Sequence, residues 1–570
     1  MTYPHGVVVQ QAQPTQLLAL LADEKIGFIG CAPVHKAIVP SIGELKYTRS
    51  TVDVATWFGD RTNIDYDLPE FWETLTQYGV SEAFFINVFD PDIHAGTGIT
   101  SATLDSTLLV DLGELVEYSA IVVSDAATTT PESQAWVDDT IDTTETMIAN
   151  VIVTTEDGNT TYREGWDYTV LDGIITAIDG GGIDTANPAL VGYTTADVTP
   201  LILDTDYTVT TTNVLDPNGS PYPSTYNFKN VIITLLTAND GDRLFISYTH
   251  SHPTFVTDNE IVGTVTGDGD ASGLELFKRV RAEQGFDLTQ VTATRTTSVE
   301  IAQALEALAK NLRCQAHINL TQFASVADAI AGRSESTGRV KNAFTVADEV
   351  ILYSDWVKTI AIDGGEQIEP LCWHGIAIRH QTTRNYNFGR SISSRSLAGV
   401  LAPLKLRTLS RENIEADNQV LTEKGSYVTI FYEFASGYLL DGNYNASHPS
   451  VNDGSQFSCV RNARDTVLRS IVKFATANLD QPLTQVLALS IEGGVRTFIE
   501  SLTNPNRATG VVLAQPTTGT TPKYATIDIP ENDMTARAAG TLYLKLEIPY
   551  LTPLNTIILI ETISITAIAA

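Results

Sequence analysis

With 570 residues, 43% of them hydrophobic and 8% aromatic, the chain carries enough apolar surface to offset the entropy of ordering and is too long for one compact core. Disorder is therefore excluded and several domains are expected. Lys plus Arg number 35 against 68 Asp plus Glu, a formal charge of −33, which argues against a surface built to neutralise nucleic-acid phosphates or to sit on an anionic membrane.

The predicted elements begin with residues 26–31 (IGFIGC), a continuous apolar run of the kind a buried strand shows. Residues 69–78 (PEFWETLTQY) have helical spacing, and residues 83–89 (AFFINVF) read as another strand. The composition then changes. Between residues 101 and 260 the bases are Arg163, Lys229 and Arg243 against 25 acidic residues, so this stretch carries −22 of the total charge. It is rich in Thr, Asp and Gly, with β-branched runs at 151–155, 201–203 and 231–236, which predicts an all-β domain standing in water. Asp167-Tyr168-Thr169-Val170 recurs as Asp206-Tyr207-Thr208-Val209, each followed by a Gly-rich or Asn-Gly turn, as two β-hairpin units of one type would give.

Beyond this stretch, residues 299–312 (VEIAQALEALAKNL) form an amphipathic helix with Ser298 as N-cap, followed by an apolar strand at 316–320. Strand, helix, strand, insertion, helix, strand is α/β logic, and the two halves share a style that the insertion lacks. In the last third, residues 427–434 (YVTIFYEF) alternate as a strand, 461–479 and 483–502 read as helices, and 541–548 (TLYLKLEI) and 555–568 as closing strands. In the last of these, Thr562, Ser564 and Thr566 alternate with Glu561, Ile563, Ile565 and Ala567. The expected fold class is a multidomain mixed α/β (α+β) protein. Its expected parts are an N-terminal arm (1–24), a core in two pieces (25–95 and 263–420), the acidic all-β insertion (96–262), a C-terminal domain (421–554) and a terminal strand (555–570).

Each candidate for chemistry has a blander reading that fits better. Counting Asp268 as the first position of a calcium loop puts Arg279 where a bidentate acid is required, so the 267–273 segment reads as an exit from the insertion. His250 and His252 flank one serine without a third ligand nearby and read as a turn before Pro253. Cys372 and His374 flank Trp373, with His380 following, and read as buried packing. Phosphate-loop, HExxH and nucleophile-elbow patterns do not occur, and no cofactor or metal is expected. Cys31, Cys314, Cys372 and Cys459 are widely spaced with no C-x-x-C pair, as buried thiols in a reducing compartment are. Residues 1–9 have no basic region before an apolar core, so an export signal is not expected and cytoplasmic synthesis is. Residues 551–570 contain Pro553, Glu561 and several Thr and Ser, a poor membrane span.

Both ends are strand-like. Val7, Val8 and Val9 form a β-branched run at one end, and Ile558, Ile560, Ile563 and Ile565 lie in the long alternating run at the other. An apolar terminal strand exposes unpaired N–H and C=O groups and has to pair, either within its own molecule or by completing a neighbour's sheet. A heterologous contact that does not close into a ring generates a helical filament.

These ends also carry a resemblance. Tyr3-Pro4-His5-Gly6-Val7-Val8-Val9-Gln10, then Ile26-Gly27-Phe28-Ile29-Gly30-Cys31-Ala32-Pro33, resembles the opening of contractile tail sheath proteins of phages and related injection machines. Ser396-Leu397-Ala398-Gly399-Val400 and Leu421-Thr422-Glu423-Lys424-Gly425 are similar to two internal segments of that family, and Cys459-Val460-Arg461-Asn462-Ala463-Arg464 to its next helix start. Residues 542–555 resemble the strand and turn before its final strand. The resemblance implies a non-enzymatic subunit that polymerises as a stack of hexameric rings around an inner tail tube and contracts to drive that tube through an envelope. It further implies baseplate and tail terminator proteins as partners, a place in the virion tail sheath after assembly in the host cytoplasm, and no direct contact with nucleic acid or insertion into membrane. Residues 10–16 (QQAQPTQ) would be a hinge, the acidic insertion an outward-facing domain, and the seven apolar residues named above the linking positions. An acidic β-rich surface-layer or adhesin subunit is the alternative.

Overall fold

The computed structural model describes residues 24–554 apart from interior stretches, the longest being 214–227, 334–346 and 515–523. The described residues form two compact units: Glu24–Gln381 with Ile392–Asn452, and Thr382–Ser391 with the chain from Asp453 onward.

The first unit opens with β1 (Ile26–Gly30), β2 (Leu45–Thr48), α1 (Thr51–Phe58), α2 (Asp67–Gln77) and β3 (Ala83–Asn87). Every residue of β1 and β3 is buried, which is why their sequences show no polar alternation. Ser50 caps α1 by accepting from Asp53 N at 3.2 Å. Twelve strands follow: β4 (Ala95–Thr103), β5 (Leu109–Val116), β6 (Ser119–Thr128), β7 (Glu132–Gln134), β8 (Thr140–Asp142), β9 (Ile148–Thr155), β10 (Tyr168–Leu171), β11 (Ile174–Ala177), β12 (Ala189–Pro200), β13 (Tyr207–Asn213), β14 (Phe228–Leu235) and β15 (Arg243–Ser251). The first and last of these pair with each other, Ala95 opposite Ser251, so the all-β region leaves and rejoins the chain at adjacent points. A long excursion whose ends already touch adds little closure entropy to the fold that carries it.

The chain then forms α3 (Asp258–Val262), α4 (Val280–Gln284), β16 (Gln290–Thr292), α5 (Val299–Leu312), β17 (Gln315–Asn319), α6 (Val326–Ala331), β18 (Val350–Tyr353), β19 (Trp356–Ile360), β20 (Glu366–Pro370), α7 (Leu371–Asn385), β21 (Val400–Pro403), α8 (Asp417–Gly425), β22 (Tyr427–Glu433) and β23 (Gly437–Asp441). The predicted helix at 299–312 and its Ser298 cap are both present, the hydroxyl accepting from Ile301 N at 3.2 Å.

An eight-stranded sheet in the order β2-β3-β1-β16-β17-β18-β22-β23 organises this unit. Its six inner strands run parallel, and β2 and β23 close the edges antiparallel. Because β1 pairs with β3 on one side and β16 on the other, with Ile26 opposite Gln290, the segments before and after the acidic region build one sheet. Phe28 stacks on Phe71 at 4.3 Å between centroids and meets Trp373 edge-on at 5.8 Å, tying β1, α2 and α7 into one apolar core. All four cysteines are buried and none is in a disulfide.

The sequence reading placed β22 in the C-terminal domain, from residue 421. It stands in the core sheet instead, because parallel pairing of Leu352 with Tyr427 and of Tyr353 with Val428 buries its first residues against β18. The second compact unit resumes at Asp453 with α9 (Ser458–Thr476), α10 (Gln485–Leu502), β24 (Ala525–Thr526), α11 (Met534–Ala538) and β25 (Lys545–Leu546).

Candidate assembly interface

In the second unit, Val467 and Ile471 of α9 and Val495, Phe498, Ile499 and Leu502 of α10 form an apolar core with Phe388, Leu513 and Tyr524. Thr484 starts α10 by accepting from Leu487 N at 3.1 Å. Near the start of α9, Arg461 Nε donates to Asp465 Oδ2 at 2.7 Å, one turn on, with both side chains buried. Burial pushes the Asp465 carboxyl above its usual range, with Arg461 opposing. Asn462 Nδ2 donates to Phe388 O at 2.9 Å. A cavity of about 330 Å³ lies beside this helix start, lined by Asp453, Arg461, Arg464, Tyr550 and Thr552 among others.

The sheet of this unit has two strands among the described residues, β24 and β25. The strand expected over 541–548 is thereby shortened to Lys545–Leu546. Gly540 at φ +74° and the hydrogen bond from Thr541 N to Ala536 O (2.9 Å) turn the chain out of α11. The Asn532 side chain then takes both backbone groups of Tyr543, donating to its carbonyl at 2.7 Å and accepting from its N–H at 2.8 Å. Those groups are no longer available to a ladder until Lys545. Past β25, Ala514 N donates to Pro549 O at 2.7 Å and Leu513 bridges Tyr550, so the segment leading toward residue 555 stays in extended pairing.

This unit also exposes large apolar side chains. Val486 (77%) and Leu489 on α10, Met534 (88%) on α11, and Leu554 (78%) all face solvent. Arg537 Nη1 donates to Gln485 Oε1 at 3.0 Å, setting α11 beside the start of α10. Isolated exposed apolar residues are ordinary; Val486 and Met534, on elements that Arg537 and Gln485 join, make this end of the unit a candidate contact surface. Sequence periodicity reads α10 as amphipathic and does not show that part of its apolar content faces outward.

Val7, Val8, Val9, Ile558, Ile560, Ile563 and Ile565 lie outside the described residues, as does the proposed hinge at 10–16. The chemical candidates can be placed. His250 is on β15, not in a turn, and its ring lies 5.5 Å from that of His252. In the 267–273 segment, Arg279 Nη2 donates to Gly269 O at 2.5 Å, so a guanidinium satisfies the loop from the position where a calcium loop has its acid. Cys372 is fully desolvated, which pushes its thiol up to about 12. His374 lies with Nε2 2.9 Å from Glu369 Oε2 and Nδ1 2.8 Å from the Tyr78 hydroxyl, all three side chains being buried. That array is buried among the core residues of the first unit. Sequence reading missed it, since the three residues come from β20, α7 and the end of α2. Among the described residues, no group of three or more His, Cys, Asp or Glu is placed to hold a metal ion, and no helix is long and apolar enough to cross a membrane.

The described residues thus comprise a parallel-cored α/β unit carrying a large antiparallel insertion, and a helical C-terminal unit with a short sheet, and this mixed fold matches that of a contractile sheath protein. The helical sheath protein of the anti-feeding prophage, solved in its contracted state, superposes with a TM-score of 0.51 at 10% identity, covering 99% of both chains. The sheath tail protein of Desulfitobacterium hafniense aligns over 89% of this chain and 92% of its own at a TM-score of 0.38 and 10% identity. In sequence, the chain is a homologue of the tail sheath protein of Burkholderia phage BcepMu, 24% identical over 501 residues, 87% of this chain and 86% of that one. No protein-family model matches. The sheath resemblance and the mixed α/β fold class read from the sequence are borne out.

Proposed function

We propose that this chain is the repeating, non-enzymatic subunit of a contractile tail sheath. The observation that carries the reading is its match to a phage tail sheath protein over most of both chains, 87% of one against 86% of the other. Copies assemble as a helical stack of hexameric rings around an inner tail tube, with the baseplate and a tail terminator protein at the two ends. Contraction draws its free energy from the additional surface that copies bury when they re-dock, as rigid units turn on connectors. The seven terminal residues Val7, Val8, Val9, Ile558, Ile560, Ile563 and Ile565 are the linking positions, and they complete short sheets such as β24–β25 in neighbouring copies. Residues 96–262 face outward and keep a crowded filament soluble through their charge. The tail sheath of the virion, assembled in the host cytoplasm, is the location this implies.

Negative-stain microscopy of the purified chain tests the reading. Tubes of uniform diameter are expected; flat arrays would favour a surface-layer protein, and compact particles under all assembly conditions would overturn both. Removal of residues 555–570 is expected to leave folded protein that forms no tubes. Unfolded aggregate, or tubes as before, would count against the linking role.

A further inference from the structure

The acidic region contains every one of its strands twice. In one set, β15 lies between β4 and β6, and β14 lies between β13 and β5. In the other, β12 lies between β7 and β9, and β11 lies between β10 and β8; the far half of β12 also pairs with β6, Thr194 opposite Thr128, and so joins the two sets in one sheet. The chain order within each set is the same: β4, β5, β6, β13, β14, β15 against β7, β8, β9, β10, β11, β12.

The equivalence extends to single residues. Ile246 is opposite Thr100 and Val123, and Val191 is opposite Glu132 and Val153. Ile233 is opposite Val110 and Val209, and Ile175 is opposite Ile141 and Val170. The two sets build separate apolar clusters. Val110, Val123, Tyr207, Ile233 and Ile246 in one stand where Ile141, Val153, Tyr168, Ile175 and Val191 stand in the other.

Individual hydrogen bonds in each set repeat as well. The Tyr207 hydroxyl donates to Ile121 O at 3.4 Å and the Tyr168 hydroxyl to Val151 O at 2.8 Å; each acceptor is two residues before the equivalent valine. Leu201 N donates to Val123 O at 2.7 Å and Tyr162 N to Val153 O at 2.8 Å, each donor six residues before its tyrosine. The sequence keeps faint traces of this match in Asp-Tyr-Thr-Val, in Ile174-Ile175-Thr176 against Ile232-Ile233-Thr234, and in Tyr193-Thr194 against Tyr248-Thr249. A register is set independently at each strand pair, so agreement at all of them is not what two unrelated sandwiches would give.

We infer that the acidic region is one six-stranded β-sandwich module present twice, the second copy spliced into the connection between the third and fourth strands of the first, and that the inner copy is a self-contained folding unit on which the outer copy does not depend. The splice is visible in the register. Asp125 of β6 and Pro200, the last residue of β12, where the chain passes back to the outer copy, are equivalent to Thr155 and Thr161 in the inner copy. Five residues separate Thr155 from Thr161 along the chain, whereas 74 residues, including all of β7–β11, separate Asp125 from Pro200. The matched positions named here are core and register positions, so what was repeated is a framework that adds a charged outer lobe.

Two measurements on the full chain test this, and neither depends on whether it polymerises. Replacing residues 126–199 by the five residues 156–160 should give a soluble chain in which the backbone amides of β14 and β15 keep the hydrogen-exchange protection they have in the parent. Loss of that protection would show that the outer copy needs the inner one and would overturn the inference. In the intact chain, Tyr168→Ala should strip protection from β8–β11 and leave β4, β5, β14 and β15 protected. Loss of protection across both sets would make the region one cooperative body and would equally overturn it.

Discussion

The hydroxyl of Tyr78 and Nδ1 of His374 lie 2.8 Å apart inside the first unit, and the backbone N–H of Ala398 donates to the same hydroxyl at 2.8 Å. The Tyr78 oxygen accepts from Ala398, and its O–H is free to face Nδ1 of His374. The other ring nitrogen of His374, Nε2, lies 2.9 Å from Glu369 Oε2. Burial raises the tyrosine above its usual range, so it stays a donor at any working pH. Tyr78→Phe should leave the Ala398 amide and the His374 Nδ1 without this partner, at a cost of about 1–3 kcal/mol. Urea unfolding of the variant checks it; an unchanged midpoint would mean the array contributes nothing to stability.

The Arg461–Asp465 pair in the second unit has little water to fall back on, its side chains being 5% and 4% exposed. Asp465→Asn keeps the volume and removes the charge that faces the guanidinium. Breaking one side of such a pair typically costs about 3–5 kcal/mol. Thermal unfolding followed by proteolysis within residues 453–554 should show this unit melting early, with α5 and the core sheet unaffected.

Acid should destabilise the chain before its carboxylates are protonated. Burial lowers His35 and His317 to about 3 and His250 to about 4. The unfolded chain therefore binds more protons than the folded one from about pH 6.5 downward. The stability tied to these neutral imidazoles is complete above about pH 6.5 and is lost as the pH falls toward 3–4. His317→Gln should make the loss shallower; parallel denaturant titrations at neutral and acidic pH would show it, and equal slopes in parent and variant would refute it.

Val486 and Met534 stand 77% and 88% exposed on α10 and α11, and neither belongs to the apolar core of its unit. Val486→Glu should change the monomer's unfolding by less than about 0.5 kcal/mol, as surface substitutions do. If this surface joins copies, tube formation seen by microscopy should fall sharply. Tubes of normal length would place the contact elsewhere.

Much of the fold was legible in the sequence alone. The buried strands near residues 26 and 83, the capped helix at 299–312 and the charge break at the insertion follow from local periodicity and composition, which need no knowledge of distant partners. The resemblance to sheath proteins also rests on short segments read in order. The array of Tyr78, His374 and Glu369 was not legible, because its members come from three elements that only packing brings together.

The doubled module marks the limit most clearly. By itself the sequence determined that residues 101–260 are acidic, β-rich and carry one four-residue echo, because strand propensity and charge are properties of neighbours along a chain. Only the tertiary structure decided that this echo belongs to two nested copies. One copy interrupts the other, and the distance between equivalent residues runs from Val123 before Val153 to Ile175 before Ile233, so no constant period survives in the sequence. What they share is which backbone faces which, and pairing across strands is fixed by hydrogen bonds and buried faces that form when the sheets close.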